Sequence, residues 1–224
     1  ESSFEKIRAA FRMNVDYRTH HFTIGGEYNR ETQSHFSVSP NGLWNIIRDG
    51  KGITNFHLHE LDMDNPILVS HNGHVDSIKY FRKYDGAAQR EFDKNLRLTL
   101  GLPEDGLDYI VTDSYDRENN TIDYFDKYGN KRTINTPENF LNLGMFSEEE
   151  LLNEGLSLVN YAGYTYTGDK QNGKVDPYSF FEDYTIAASK PEYWSVFIQD
   201  EFKIENLRVR LGLRLDVYDA NRPV

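Results

Sequence analysis

The chain has 224 residues, 38% of them hydrophobic, a mean hydropathy of −0.70 and no cysteine. That composition excludes a disulfide framework, thiol chemistry and membrane-spanning helices, which need about 18 consecutive apolar residues. A formal net charge of −11 argues against nucleic acid as a partner.

The low hydropathy is compatible with a membrane β-barrel, because only alternate residues of such a strand meet lipid. The charge is unevenly spread: segments 1–32 and 191–224 are close to balance, and 33–190 holds nearly all the excess acid. The chain opens directly into an alternating pattern, so a piece of a longer protein is expected.

In chain order, the first patterned segment alternates Ile7, Ala9, Phe11, Met13, Val15 and Tyr17 with Lys6, Arg8, Ala10, Arg12, Asn14 and Asp16. A tight turn is expected near Arg18-Thr19-His20. Phe22, Ile24, Gly26 and Tyr28 then alternate with Thr23, Gly25, Glu27 and Asn29. Period two over this length predicts two strands joined as a hairpin.

The middle, 33–190, is irregular and should carry its own structure, since a structureless loop of that length is uncommon. Helical spacing of Ala88, Phe92 and Leu96 predicts a helix within Gly86–Leu100, stopped by Gly101 and Pro103. Thr136-Pro137 could start a short helix ending at Gly144. Ser147-Glu148-Glu149-Glu150 reads as a capping box before Leu151. Turn signals fall at Asn41-Gly42, Asp49-Gly50, Asn72-Gly73, Gly129-Asn130 and Asn172-Gly173.

The last segment repeats the pattern of the first. Trp194, Val196, Ile198, Asp200, Phe202 and Ile204 share one face, and Tyr193, Ser195, Phe197, Gln199, Glu201 and Lys203 the other. After Glu205-Asn206, Leu207, Val209, Leu211, Leu213, Leu215 and Val217 alternate with Arg208, Arg210, Gly212, Arg214, Asp216 and Tyr218. Each segment supplies roughly the 9–11 residues a tilted strand needs to cross a bilayer. Aromatic residues near strand ends (Tyr17, Tyr28, Trp194, Tyr218) suit interfacial girdles. Pattern alone leaves two readings open: a transmembrane barrel with its polar face toward the lumen, or a water-soluble antiparallel sheet packed on a core. Short turns within each hairpin and a long connection between them match barrels with short periplasmic turns and longer extracellular loops.

Several side-chain groups have the residue types that chemistry uses. His57 and His59, flanking Leu58, would share one side of a strand, but no third ligand accompanies them. His71 and His74 flank a turn. Asp113, Asp116, Glu118, Asn120 and Asp123 have calcium-like spacing but lack the glycine and terminal glutamate of an EF-hand. No catalytic residues, metal site or cofactor are expected. The aromatic cluster Tyr161, Tyr164, Tyr166, Tyr178, Phe180, Phe181 and Tyr184 suits either loop packing or a contact surface, with Tyr161, Tyr164, Tyr166 and Tyr178 the candidate ligand contacts.

The stretches YWSVFIQDEFK (193–203) and LRVRLGLRLD (207–216) resemble a barrel hairpin of TonB-dependent outer-membrane receptors. The continuation YDANRPV (218–224) is similar to the Oar-like group of Bacteroidota. So are LGLPEDGLDY (100–109), MFSEEELLN (145–153) and GYTYTGDK (163–170). The resemblance implies a 22-stranded barrel, a preceding carboxypeptidase-regulatory-like domain, an N-terminal plug and contact with the TonB complex, all through parts outside these residues.

The expectation is therefore an all-β fold: a partial transmembrane antiparallel β-barrel of two hairpins with a long extracellular loop containing short helices. Residues 1–32 and 191–224 form the hairpins, with periplasmic turns, and 33–190 forms the loop. Arg8, Arg12, Glu27, Gln199, Glu201, Arg208, Arg210 and Arg214 would face the lumen. The expected role is non-enzymatic passage of a large solute across the outer membrane. The expected partners are membrane lipid, the protein's own plug and the TonB complex. The alternatives are a non-transporting barrel subunit bound to other outer-membrane proteins, or a soluble β-rich domain binding carbohydrate or protein.

Overall fold

The structure is a computed structural model and describes residues 1–48, 52–171 and 180–221, without the side chains of 181 and 182. The elements run β1 (Ser2–Tyr17), β2 (His20–Val38), α1 (Pro40–Ile47), β3 (Ile67–His71), β4 (His74–Lys79), α2 (Glu91–Thr99), β5 (Tyr109–Asp116), β6 (Thr121–Phe125), β7 (Lys131–Asn135), α3 (Glu148–Leu152), β8 (Val159–Ala162), α4 (Phe180–Asp183), β9 (Glu192–Ile204) and β10 (Leu207–Asp219). The fold is all-β, with antiparallel sheets and few, short helices. The chain divides into two compact units: residues 1–37 with 159–224, and residues 38–158.

The first unit is a sheet of order β1-β2-β9-β10, with β8 added beside β2. The alternation read from the sequence fixes its register, because a slip of one residue would move every apolar side chain to the other face. Met13, Ile24, Ile198 and Leu213 lie in one row across the four strands, and Phe11, Gly26, Val196 and Leu215 in the next. Both hairpins reverse through two residues, Arg18-Thr19 and Glu205-Asn206, with left-handed φ of 55° at Arg18 and 50° at Glu205. Since His20 pairs with Phe202, both reversals lie at one end of the sheet. The chain leaves for its long insertion at the other end, beyond the Arg30–Glu192 pair.

Strand β2 continues to Val38, past the expected hairpin limit at 32. Gln33 pairs with Ser189 in an isolated bridge. The adjacent glycines of β2 are covered by aromatic rings. A Cβ on Gly25 would fall 2.5 Å from the Phe197 ring, and one on Gly26 would fall 2.7 Å from the Phe11 ring. Glycine here admits the rings flat against the backbone.

The second unit packs α2, α3, the β5-β6-β7 sheet and the β3-β4 hairpin. Its core contains Leu58, Phe92, Leu96, Ile110, Ile122 and Leu151, all fully or almost fully buried. Phe92 stacks on Phe146 with ring centroids 4.5 Å apart. The expected helix in Gly86–Leu100 is present but shorter: it begins at Glu91, and Gly101 ends it at φ +69°. The capping box forms as read, with the Ser147 side chain accepting from the Glu150 N–H and Glu150 accepting from the Ser147 N–H. Asn72-Gly73 turns β3 into β4, and Gly129-Asn130 lies in the turn from β6 to β7. Two expectations fail here. Asn41-Gly42 lies inside α1, where Pro40 at the first turn sets a helical φ. Thr136–Gly144 forms no α-helix, only a single 3-10 turn at Leu143–Met145 capped by Asn142. Asp49-Gly50 and Asn172-Gly173 lie outside the described residues.

Candidate functional site

The sheet of the first unit separates its side chains into two unlike faces. One row of alternate residues runs Ile7 to Tyr17 on β1, His20 to Arg30 on β2, Glu192 to Ile204 on β9 and Leu207 to Asp219 on β10. It is apolar except at its margins and is open to its surroundings: Phe11 is 62% exposed and Leu213 79%. One ion pair interrupts it, His20 Nδ1 to Asp200 Oδ2 at 2.7 Å, next to the short turns. The His20 ring stacks on Phe22 with centroids 5.6 Å apart.

The opposite face is ionic. Glu201 sits between Arg208, at 3.2 Å, and Arg210, at 2.5 Å. Arg8 reaches Glu27 at 2.8 Å and Lys6 reaches Glu31 at 2.9 Å. Arg214 meets Asp216 at 2.9 Å and donates to the Tyr193 hydroxyl at 2.7 Å, and that hydroxyl donates to Asp216 at 2.5 Å. The Arg12 guanidinium lies 5.6 Å from the Phe197 ring centroid. Arg8, Arg12, Glu27, Gln199, Glu201, Arg208, Arg210 and Arg214 thus share one face through the ladder register. The alternation made this grouping legible; the triad of Tyr193, Arg214 and Asp216 carried no separate signal.

Two of the four tyrosine candidates are core residues and not contact surface. Tyr161 and Tyr164 are 3% and 2% exposed. The Tyr161 hydroxyl donates to the Tyr184 carbonyl at 2.6 Å, and the Tyr164 ring packs against Phe36. They fill the interior of the first unit, Tyr161 from β8 and Tyr164 from the segment just beyond it, where it bridges to Lys170. Tyr166 is half-buried, and Tyr178 lies outside the described residues.

The second unit uses the other candidate groups for structure. His57 and His59 do not share a strand face: the chain turns through a 3-10 helix at Phe56–Leu58, which buries His57 and leaves His59 exposed. His71 and His74 pair across the exposed β3-β4 turn. The oxygens with calcium-like spacing are taken up locally. Asp113 receives the Arg48 guanidinium in a two-pronged contact, and that hydrogen bond lowers its pKa. Asp116 accepts from Asn119 and the Glu118 N–H, which lowers its pKa. Asp123 is held by Lys131 at 2.8 Å and Thr133 at 2.6 Å, again with a lowered pKa. Among the described residues, no three His, Cys, Asp or Glu side chains converge as a metal site would require.

A fully buried polar cluster was missed. Asp93 accepts from Arg97 Nε at 2.8 Å, Gln89 Nε2 at 3.0 Å and the Asn55 N–H at 2.9 Å. Asn55 acts as a substitute strand: its amide donates to the Ile110 carbonyl at 2.7 Å and accepts from the Ile110 N–H at 3.0 Å. Three further Arg97 N–H groups donate to Asn55 Oδ1 and to the carbonyls of Gly106 and Asp108. The i, i+4 pair Asp93/Arg97 beside the Phe92/Leu96 stripe was the one local signal, and Asn55, 38 residues earlier, offered none. His57 Nδ1 lies 3.3 Å from Asp93 Oδ2 but outside hydrogen-bonding geometry, and neither ring nitrogen has a hydrogen-bond partner. Burial lowers its pKa to about 4.

No protein-family model, curated protein or solved structure matches the chain.

Proposed function

We propose that this chain is a four-strand sector of an outer-membrane β-barrel, with its apolar face toward lipid and its ionic face toward the lumen. The observation that carries this reading is the broad apolar face across β1, β2, β9 and β10, interrupted only next to the short turns by the His20–Asp200 pair. Leu213, Leu211, Phe11 and Ile7 there are all more than half exposed. A water-soluble protein rarely leaves a contiguous apolar patch beyond a few hundred Å² open, whereas hydrocarbon covers such a face without further packing. The dimensions suit a bilayer. Leu207 to Val217 spans ten rises of about 3.3 Å, which at a tilt near 40° gives about 25 Å, the height of a barrel's apolar band. Tyr28 and Trp194 lie in the row next to the Arg30–Glu192 pair, where a girdle belongs. Among the described residues, β1 and β10 each leave an edge unpaired, the positions where further barrel strands would join.

Within that class, the reading we adopt is a TonB-dependent receptor, in which the insertion is extracellular and a large solute crosses without covalent chemistry. It rests on the resemblance of residues 193–216 and of the three insertion segments to such receptors.

The absence of cysteine makes the test direct. Single cysteines at 211, 213 and 215, and at 210, 212 and 214, carry a spin label in membranes containing the full protein. The odd positions should favour dissolved oxygen and the even positions a water-soluble nickel complex. Loss of that alternation, or a chain that stays monodisperse in buffer without detergent, overturns the barrel. Stoichiometric co-purification with other outer-membrane proteins, with no energy-dependent uptake, overturns the transport reading alone.

A further inference from the structure

In the second unit, β3 and β4 form a two-stranded ribbon that no third strand joins among the described residues. The Leu61–Arg82 bridge closes its stem and Asn72-Gly73 its tip. The register pairs Leu68 with Ile78 and Ser70 with Val75, with a shift between Val69 and Ser70. Leu68, Val75 and Ile78 therefore share one face, and each is more than half exposed. Ile67 and Val69, on the other face, are half-buried. A two-stranded ribbon is marginal in water by itself, and a third strand or further packing is needed to secure it.

The two outer edges differ. β4 carries Asp76 and Lys79, charges that discourage a further strand. β3 holds no proline, lysine, arginine, aspartate or glutamate, so its edge is the unguarded one. A second β3 fits there, antiparallel, about a two-fold axis through Val69. Leu68 of each copy then faces Ser70 of the other, and Ile67 faces His71, so no like charges meet. The two stems lie at opposite ends of the paired strands. Asp64, exposed in the stem of each copy, comes near the exposed His71 and His74 at the tip of the other. Imidazole N–H groups complement that carboxylate, and the symmetry makes the contact twice.

We propose that β3 pairs with β3 of a second copy of this chain, giving a four-stranded sheet of order β4-β3-β3-β4 across two molecules. Each ribbon thereby gains the strands it lacks, and the exposed Leu68, Val75 and Ile78 of both copies join into one apolar face. The pairing is independent of what covers the sheet of the first unit.

The absence of cysteine again makes the test direct. Val69→Cys in the full chain, in membranes or detergent, should give a disulfide-linked dimer on mild oxidation. Facing Cα atoms of an antiparallel pair lie about 4.5–5.5 Å apart, within disulfide reach. Ser77→Cys, opposite Val69 on the outer strand, should stay monomeric, because three strand spacings separate the two copies by about 14 Å there. In the Val69→Cys background, Leu68→Lys with Ser70→Lys sets like charges opposite each other twice and should abolish the link. Leu68→Lys with Ser70→Glu sets opposite charges in the same places and should keep it. Both positions are exposed, so neither pair threatens the fold. The proposal is overturned if Val69→Cys gives no dimer, if the linked species contains a different protein, if Ser77→Cys links as readily, or if the two charged pairs behave alike.

Discussion

Arg97→Met should be among the most damaging single substitutions in the 38–158 unit. The side chain is fully buried, and its guanidinium meets Asp93, Asn55 and the carbonyls of Gly106 and Asp108. Methionine conserves much of the volume but leaves the Asp93 carboxylate buried, with the Gln89 amide and the Asn55 N–H as its hydrogen-bond donors and His57 3.3 Å away. Breaking a buried pair on one side costs about 3–5 kcal/mol. With a urea dependence near 2 kcal/mol per M, the unfolding midpoint should fall by about 1.5–2.5 M. Trp44 in α1 and Trp194 in β9 are the only tryptophans, so a Trp194→Phe background lets fluorescence report this unit alone. Adding Asp93→Asn removes the orphaned charge and should recover about 1–3 kcal/mol. A midpoint shift under about 0.5 M for Arg97→Met, or no recovery in the double variant, would refute the assignment of the pair as the anchor of this core.

The pH dependence of the same unit should follow His57. Its folded pKa, about 4, lies below the ordinary 6.5, so the unfolded chain binds more protons between those values. Stability is therefore complete above pH 6.5 and is lost as pH falls toward 4, by up to about 3 kcal/mol. Glu150, whose pKa burial raises, opposes this weakly above its ordinary value, and His57→Leu should flatten the slope between pH 6.5 and 4.5 in urea titrations. Glu150→Ala removes acceptors from the Ser147 and Phe92 N–H groups, and a loss of about 1–2 kcal/mol is expected by thermal melting. Gly25→Val drives a side chain into the Phe197 ring and the Phe11 carbonyl, and should sharply lower the fraction of protein that runs as folded, heat-modifiable species on electrophoresis. Arg48→Ala, which breaks an exposed pair with Asp113, should leave the urea midpoint unchanged within error, so a clear loss would show that Arg48 has a further partner.

The strands of the first unit were legible because their physics is local. Period-two alternation assigns a face to every residue from Ile7 to Tyr28 and from Trp194 to Val217, and the short polar stretches place both turns. The capping box at Ser147 and the Gly101 stop were legible for the same reason. What escaped depends on residues distant in sequence. Asn55 serves as a backbone mimic for Ile110 only because the intervening chain folds back. His57 is buried because a 3-10 turn replaces the strand its neighbours suggested. The tyrosines of 161–166 were dense enough to suggest a surface, but the direction of a side chain in an irregular segment follows from packing that composition does not encode. The β5-β6-β7 sheet also went unread, since its strands are short, polar and interrupted by a register shift between Val111 and Asp116.

The placement of both two-residue reversals at one end has a consequence for change over time. The stems of the insertion are zipped together by the β2-β9 ladder from His20–Phe202 to Arg30–Glu192, so the ends of whatever lies between are already neighbours. Lengthening a connection between fixed ends costs only about 0.6 kcal/mol per doubling. With β8 kept as part of the sheet, the 38–158 unit is the cassette that can be exchanged, grown or trimmed while the four strands keep their register.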